Sequence, residues 1–125
     1  MNPSLTLDER RAILDGISRK VIGCAHQVSN ALGAGFLEKV YENALAFELR
    51  EAGLETVLQR RIEVRYRGIL VGDFVADIVV ENCVIVEVKA IKLLDPAHSS
   101  QCLNYLRGTG LSLCLLVNLG APRPS

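Results

Sequence analysis

Tryptophan is absent from this 125-residue chain, and tyrosine and phenylalanine supply only three residues each. Recognition of single strands by stacked bases is therefore not suggested, because it needs aromatic platforms. Charge of one sign is lacking too. Fourteen Lys and Arg balance fourteen Asp and Glu, a formal net charge of zero at pH 7. That excludes a strongly basic, sequence-blind nucleic-acid coat and leaves room only for a local basic patch. No apolar run approaches the ~20 residues that span a bilayer. The longest, Leu111 to Val117, contains Ser112, and Met1 to Leu7 has neither the basic start nor the apolar stretch of a signal peptide. A soluble cytoplasmic protein with no membrane partner is expected. Cys24, Cys83, Cys102 and Cys114 form no CxxC pair and have no histidine at zinc-finger spacing. Each lies among apolar neighbours, so four reduced core thiols are expected, as in a prokaryotic cytoplasm.

What is present suits one globular domain over residues 1–125: half the residues are hydrophobic and 22% are charged. Thr6 followed by Glu9 reads as a capping box opening a helix. Leu14, Ile17, Val21, Ala25, Val28 and Leu32 then form one apolar stripe at helical spacing, and Gly33 and Gly35 stop it. A second helix is expected from about Leu37 to Ala52, ending at Gly53. The period then changes. Ile62, Val64 and Tyr66 alternate with charged residues as in a half-buried strand, and Gly68 marks a turn. Phe74 to Val80 and Val84 to Lys89 read as a hairpin. Asp95-Pro96 opens a helix running to about Arg107. Leu111 to Leu119 reads as a strand buried on both faces and interior to the sheet. The expected fold is α/β, a mixed sheet flanked by helices in the order ααβββαβ.

Asp77, Glu87 and Lys89 stand out within apolar, β-branched strands. Glu87 and Lys89 share one strand face, while Val84, Val86 and Val88 turn to the other. Burying such groups costs several kcal/mol, on the order of magnitude known for buried ions, unless they pair or meet a metal. A cross-strand salt bridge on a solvated face is the competing explanation. The turn decides between them. A two-residue Glu81-Asn82 turn sets Asp77 opposite Val86, whereas a three-residue turn through Cys83 sets it directly opposite Glu87, about 5 Å away. Asn82 tolerates the left-handed conformation such a turn needs, and a bulge would serve as well.

Asp77 followed by Glu87-Val88-Lys89 across a hairpin, then a helix and a strand, resembles the core of the PD-(D/E)XK nuclease superfamily. Gly35-Phe36-Leu37-Glu38-Lys39-Val40-Tyr41 reads G-x-x-E-x-x-Y, the motif of the small prokaryotic GxxExxY family within that superfamily. Gln101-Cys102-Leu103-Asn104-Tyr105 reads Q-x-x-x-Y, similar to the helix after the core in RecB-type nucleases. Gly33-Ala34-Gly35, Ala44 to Leu49, Tyr66-Arg67-Gly68 and Val117-Asn118-Leu119-Gly120 look like the GxxExxY family in the same order, so the resemblance runs from about Ile22 to Gly120. It implies that Asp77, Glu87 and the Val88 carbonyl hold Mg²⁺ or Mn²⁺, that Lys89 positions or activates the attacking water, and that the substrate is nucleic acid. The family usually continues past Asn-x-Gly with a basic, strand-like stretch, whereas this chain reads Ala121-Pro122-Arg123-Pro124-Ser125. A shortened end is expected to uncover a sheet edge and favour a homo-oligomer, a dimer or larger.

Glu38 is the candidate for an extra metal carboxylate, against the simpler role of a negative charge in a first helical turn. Tyr41 reads as a packing residue whose hydroxyl finds a partner. Gln101 and Tyr105, four apart, point the same way and are candidates to hold Lys89, a carboxylate or a phosphate. His98 either joins that face or caps its helix. Arg60, Arg61, Arg65, Arg67, Lys92 and Arg107 are the candidate phosphate contacts, against a plain solvated face. Two functions compete. One is a metal-dependent nuclease hydrolysing phosphodiesters in DNA or RNA. The other is a non-catalytic oligomeric or binding protein that keeps the fold, favoured by neutral charge and small size.

Overall fold

In the computed structural model the described residues are 4–92, 94–109 and 111–120, with the backbone alone at 103–105 and 107–109. Two helices come first, α1 (Leu7–Leu32) and α2 (Glu38–Glu51), followed by β1 (Thr56–Tyr66), β2 (Ile69–Val80) and β3 (Val84–Lys89), then α3 (Pro96–Thr109) and β4 (Leu113–Asn118). Thr6 caps α1, its Oγ1 accepting from the Glu9 N–H at 3.1 Å. The α1 stripe buries Ile17, Val21, Cys24, Ala25 and Val28, with Leu14 and Leu32 packed at its ends. No helix among the described residues is long and apolar enough to cross a membrane.

The sheet order is β1-β2-β3-β4, antiparallel except for the parallel β3–β4 pair. Ile78, Val80, Val84, Val86 and Val88 meet α1 and α2 in the main core, together with Tyr41, Leu45 and Leu49. A smaller cluster of Ile62, Ala76, Val79 and Ile85 packs with Phe74, Leu111 and Cys114. The disulfide Cys102–Cys114 ties α3 to β4 beside this second cluster, with the two Cα atoms 5.7 Å apart.

Two expectations fail. The cysteines are not all reduced: Cys24 and Cys83 are free and buried, but Cys102 and Cys114 are joined. They are twelve positions apart in sequence, and only the packing of α3 on β4 brings them together. Second, among the described residues β4 stands at the edge of the sheet, not in its interior. All six of its residues are half-buried. Its apolar sequence reflects cover on its faces rather than a strand on each side. The first two strands are also longer than the alternation suggests. β1 begins at Thr56 rather than Ile62, and β2 at Ile69 rather than Phe74. The Arg67-Gly68 turn between them has positive φ at both residues, 50° and 80°, as a two-residue hairpin loop requires.

Tyr41 locks the α1–α2 connection. Its hydroxyl donates to the Gly33 carbonyl at 2.5 Å and accepts from the Phe36 N–H at 3.2 Å. A Cβ at Gly120 would lie 2.7 Å from Ala90 Cβ and 3.2 Å from the Tyr41 ring, so the chain beyond β4 closes directly onto this tyrosine. Tyr41→Phe leaves a carbonyl and an N–H without their partner and should cost about 1–3 kcal/mol. Urea denaturation of the variant beside the parent chain measures it.

Candidate metal centre

In the β2–β3 hairpin Ile78 lies opposite Val86 and Val80 opposite Val84, which makes Glu81-Asn82-Cys83 a three-residue connection. Glu81 and Asn82 take left-handed backbone, φ 52° and 54°. Regular pairing stops at Ile78–Val86. At the next step the strands exchange side chains for backbone. Asp77 Oδ2 accepts from the Val88 N–H at 2.9 Å, and Glu87 Oε1 accepts from the Asp77 N–H at 3.4 Å. Each carboxylate thus takes up a backbone donor of the opposite strand that the ladder leaves over.

The β1 side of Asp77 is irregular as well. Leu58 pairs with Ile78 and Arg60 with Ala76, but the intervening Gln59–Asp77 pair is missing. Gln59 has φ 51° within β1, a left-handed backbone that L residues rarely adopt in a strand. Its side chain is held instead by α2, where Gln59 Nε2 donates to Glu42 Oε1 at 2.5 Å. Glu42 is 4% exposed and also pairs with Lys39 at 3.3 Å.

Glu87 is 8% exposed. Burial, and then the charge of Asp77, push its pKa up to about 8, and Lys89 opposes that shift only weakly. A proton on Glu87 then lets the two carboxyl groups share a hydrogen bond. The Lys89 carbonyl accepts from the Leu119 N–H on the β4 side at 2.9 Å. Backbone polarity alternates along a strand, so the Val88 carbonyl turns toward β2, as its N–H does. Two carboxylates and one carbonyl therefore converge where β2 and β3 part. An all-oxygen set suits a hard divalent cation, and three protein ligands leave positions for the waters Mg²⁺ retains. Burial first and the Asp77 charge second keep the proton on Glu87, and the second is a charge such a cation would neutralise.

The other candidates form no hydrogen bond or ion pair with Asp77 or Glu87 among the described residues, or lie outside them. Glu38 is the exposed first residue of α2, and among the described residues no group of three or more metal-ligating side chains forms. Gln101 is exposed on α3, and the side chains of Tyr105 and Arg107 lie outside the described residues, as do Ala121 to Ser125. His98 caps its helix: its Nδ1 accepts from the Asp95 N–H at 3.0 Å while Asp95 Oδ1 accepts from Ala97 at 2.7 Å. Arg61 pairs with Asp73 and Glu63, Arg65 with Glu63, and Arg60 donates to Asn82. Asn118, opposite Lys89 on β4, clamps the segment after β3 by bonding both the N–H and the carbonyl of Ile91, at 3.1 and 2.7 Å. Sequence reasoning gave no role to Gln59, Glu42 or Asn118. Glu42 was detectable as the residue one turn beyond Glu38, and Asn118 lay in a recognised segment, but nothing in the sequence marks Gln59.

The Glu87 shift makes a test. The folded chain holds the Glu87 proton up to about pH 8, whereas the unfolded chain releases it near 4.5. Between those values the folded state binds more protons, so stability with chelator present should fall as pH rises from about 4.5 to about 8. Urea midpoints across that range should show the fall, and Glu87→Gln should remove most of its slope.

A family model of the PD-(D/E)XK nuclease superfamily matches residues 15–125. No curated protein and no solved structure matches the chain. The matched span contains the whole sheet, all of α2 and α3, and both carboxylates at the parting of β2 and β3. On that match, the chain belongs to the PD-(D/E)XK nuclease superfamily.

Proposed function

We propose that this chain is a divalent-metal-dependent nuclease of the GxxExxY type, hydrolysing phosphodiesters in DNA or RNA. The observation that carries the reading is the crossed pair of carboxylates, Asp77 and Glu87, each bonded to a backbone N–H near the other where the β2–β3 ladder opens. Asp77, Glu87 and the Val88 carbonyl would hold Mg²⁺ or Mn²⁺. Bound there, the ion supplies Lewis-acid activation of water and stabilises charge on the phosphoryl group. The Val88 and Asp77 N–H groups fix the two carboxylates before any ligand arrives, which spares their reorganisation. Lys89, half-buried two residues beyond Glu87, orients the attacking water and offsets negative charge on the phosphate. Asn118, beside Lys89, holds the β3 exit so that this lysine keeps its place. Glu38, Gln101 and Tyr105 serve as outer contacts to the substrate or to the waters of the ion.

Mn²⁺ should raise the melting temperature of the parent chain and leave that of Asp77→Asn unchanged, since only a native-state site gains from binding. Lys89→Ala should keep the Mn²⁺-dependent rise, because all three ligating oxygens remain, yet lose about 10²-fold or more in cleavage, on the scale of a lost proton-handling group. Cleavage is followed on labelled single-stranded, double-stranded and branched DNA and on RNA, with Mn²⁺ and with chelator. A parent chain that binds Mn²⁺ and cleaves none of these is the non-catalytic binding protein instead. A chain that Mn²⁺ does not stabilise at all removes the metal centre.

A further inference from the structure

Ala76 and Ile78 stand two apart on β2 and should share a sheet face, as should Leu58 and Ile62 on β1. Neither pair does. Ile78 lies in the main core and Leu58 packs against it, whereas Ala76 and Ile62 belong to the second cluster. The clusters occupy opposite faces, since the successive residues Val79 and Val80, and Val84 and Ile85, divide between them. The β1–β2 ribbon thus falls out of step once, and the missing Gln59–Asp77 pair marks the place. Alternation from Leu58 would turn the Gln59 side chain away from α2. Its φ of 51° brings that side chain back, and Nε2 reaches Glu42. Both Glu42 oxygens are then taken, Oε1 by Gln59 and Oε2 by Lys39.

We infer that Gln59 and Glu42 are positioning residues for the metal carboxylates, setting Asp77 against Glu87 without touching the ion. The role presupposes that Asp77 and Glu87 hold the ion. Backbone direction carries the argument. The Val88 N–H faces β2, so by alternation the Val86 N–H does too, and the Ile78 N–H opposite it faces β3. The next N–H along β2, that of Asp77, should then face β1 and find Gln59 as its ladder partner. It turns instead to Glu87 Oε1 on β3, because Gln59 has left the ladder. Left-handed backbone is disfavoured for glutamine and persists only where the surroundings over-determine it. Glu42, buried on a helix that packs in the main core, supplies that hold. Freed from Glu42, residue 59 would relax to extended backbone and reclaim the Asp77 N–H. Glu87 would lose its donor, and the two carboxylates would no longer be set together.

Mn²⁺ affinity of the full chain is read from the electron paramagnetic resonance signal of the free ion, which needs no turnover. Gln59→Val, whose β-branched side chain favours extended backbone, should bind Mn²⁺ about 10-fold more weakly or worse, the scale of a lost outer partner of a metal ligand. Glu42→Leu removes the acceptor and should lose as much; it is read alone if circular dichroism shows Gln59→Val unfolded. Glu42→Gln keeps an acceptor for Gln59 Nε2 and should bind as the parent chain does. Tyr41→Phe loosens the α1–α2 connection without touching β1, so it should also bind as the parent does and controls for lost stability. A parent chain that binds no Mn²⁺ removes the metal centre and this role with it. A parent chain that binds while Gln59→Val and Glu42→Leu match it overturns the positioning role alone. So does a Glu42→Gln variant as weak as Glu42→Leu, which would make the Glu42 carboxylate itself a ligand.

Discussion

Where β2 and β3 part, two backbone N–H groups that would otherwise go unpaired are taken by the carboxylates of Asp77 and Glu87. Other features of the fold converge on this exchange. A carboxylate in so apolar a strand pair is costly unless donors meet it, and these donors come from the main chain, which no side-chain rotation removes. The split needs β2 released on both sides. On one side the three-residue connection sets the register that brings Asp77 to Glu87. On the other, Gln59 turns its backbone left-handed and leaves Asp77 without its ladder partner on β1. That strain is held by the Gln59–Glu42 bond to α2, so a helix on the main-core side fixes the strand geometry at the carboxylates. β3 itself is held by valines packed against α1 and α2 and by β4 alongside.

The G-x-x-E-x-x-Y spacing gains a physical meaning from the position of Tyr41. Its hydroxyl spans from the end of α1 to the residue just before α2, bonding Gly33 and Phe36. Such a bridge needs the tyrosine one turn into α2, so that its ring points back over the helix start. The same ring receives Gly120 after β4, which leaves no room for a side chain there. Tyr41 of the motif and Gly120 of the Asn-x-Gly segment are therefore two halves of one packing contact, far apart in sequence. Glu38 sits between them in the motif without sharing that contact, exposed at the start of α2. Its charge suits that helix N-terminus, and the substrate contact proposed for it adds to this role.

What was legible in the sequence follows the range of the forces involved. The two N-terminal helices and β3 are set by local periodicity and, at the start of α1, by the Thr6–Glu9 capping box, and their bounds are found to within about a residue. The adjacency of Asp77 and Glu87 hung on one residue of turn length, which Asn82 made conceivable and only the register decides. β1 is longer than its sequence suggests because its first six residues alternate in burial but not in polarity: Val57 is the exposed apolar residue, Arg60 the half-buried charged one. β4 was read as interior because an apolar strand looks the same whether helices or strands cover it. The Cys102–Cys114 bond depends on a parallel crossover, a long-range feature that spacing alone does not encode. Gln59 is the limiting case: its role lies in its backbone angle and one distant carboxylate.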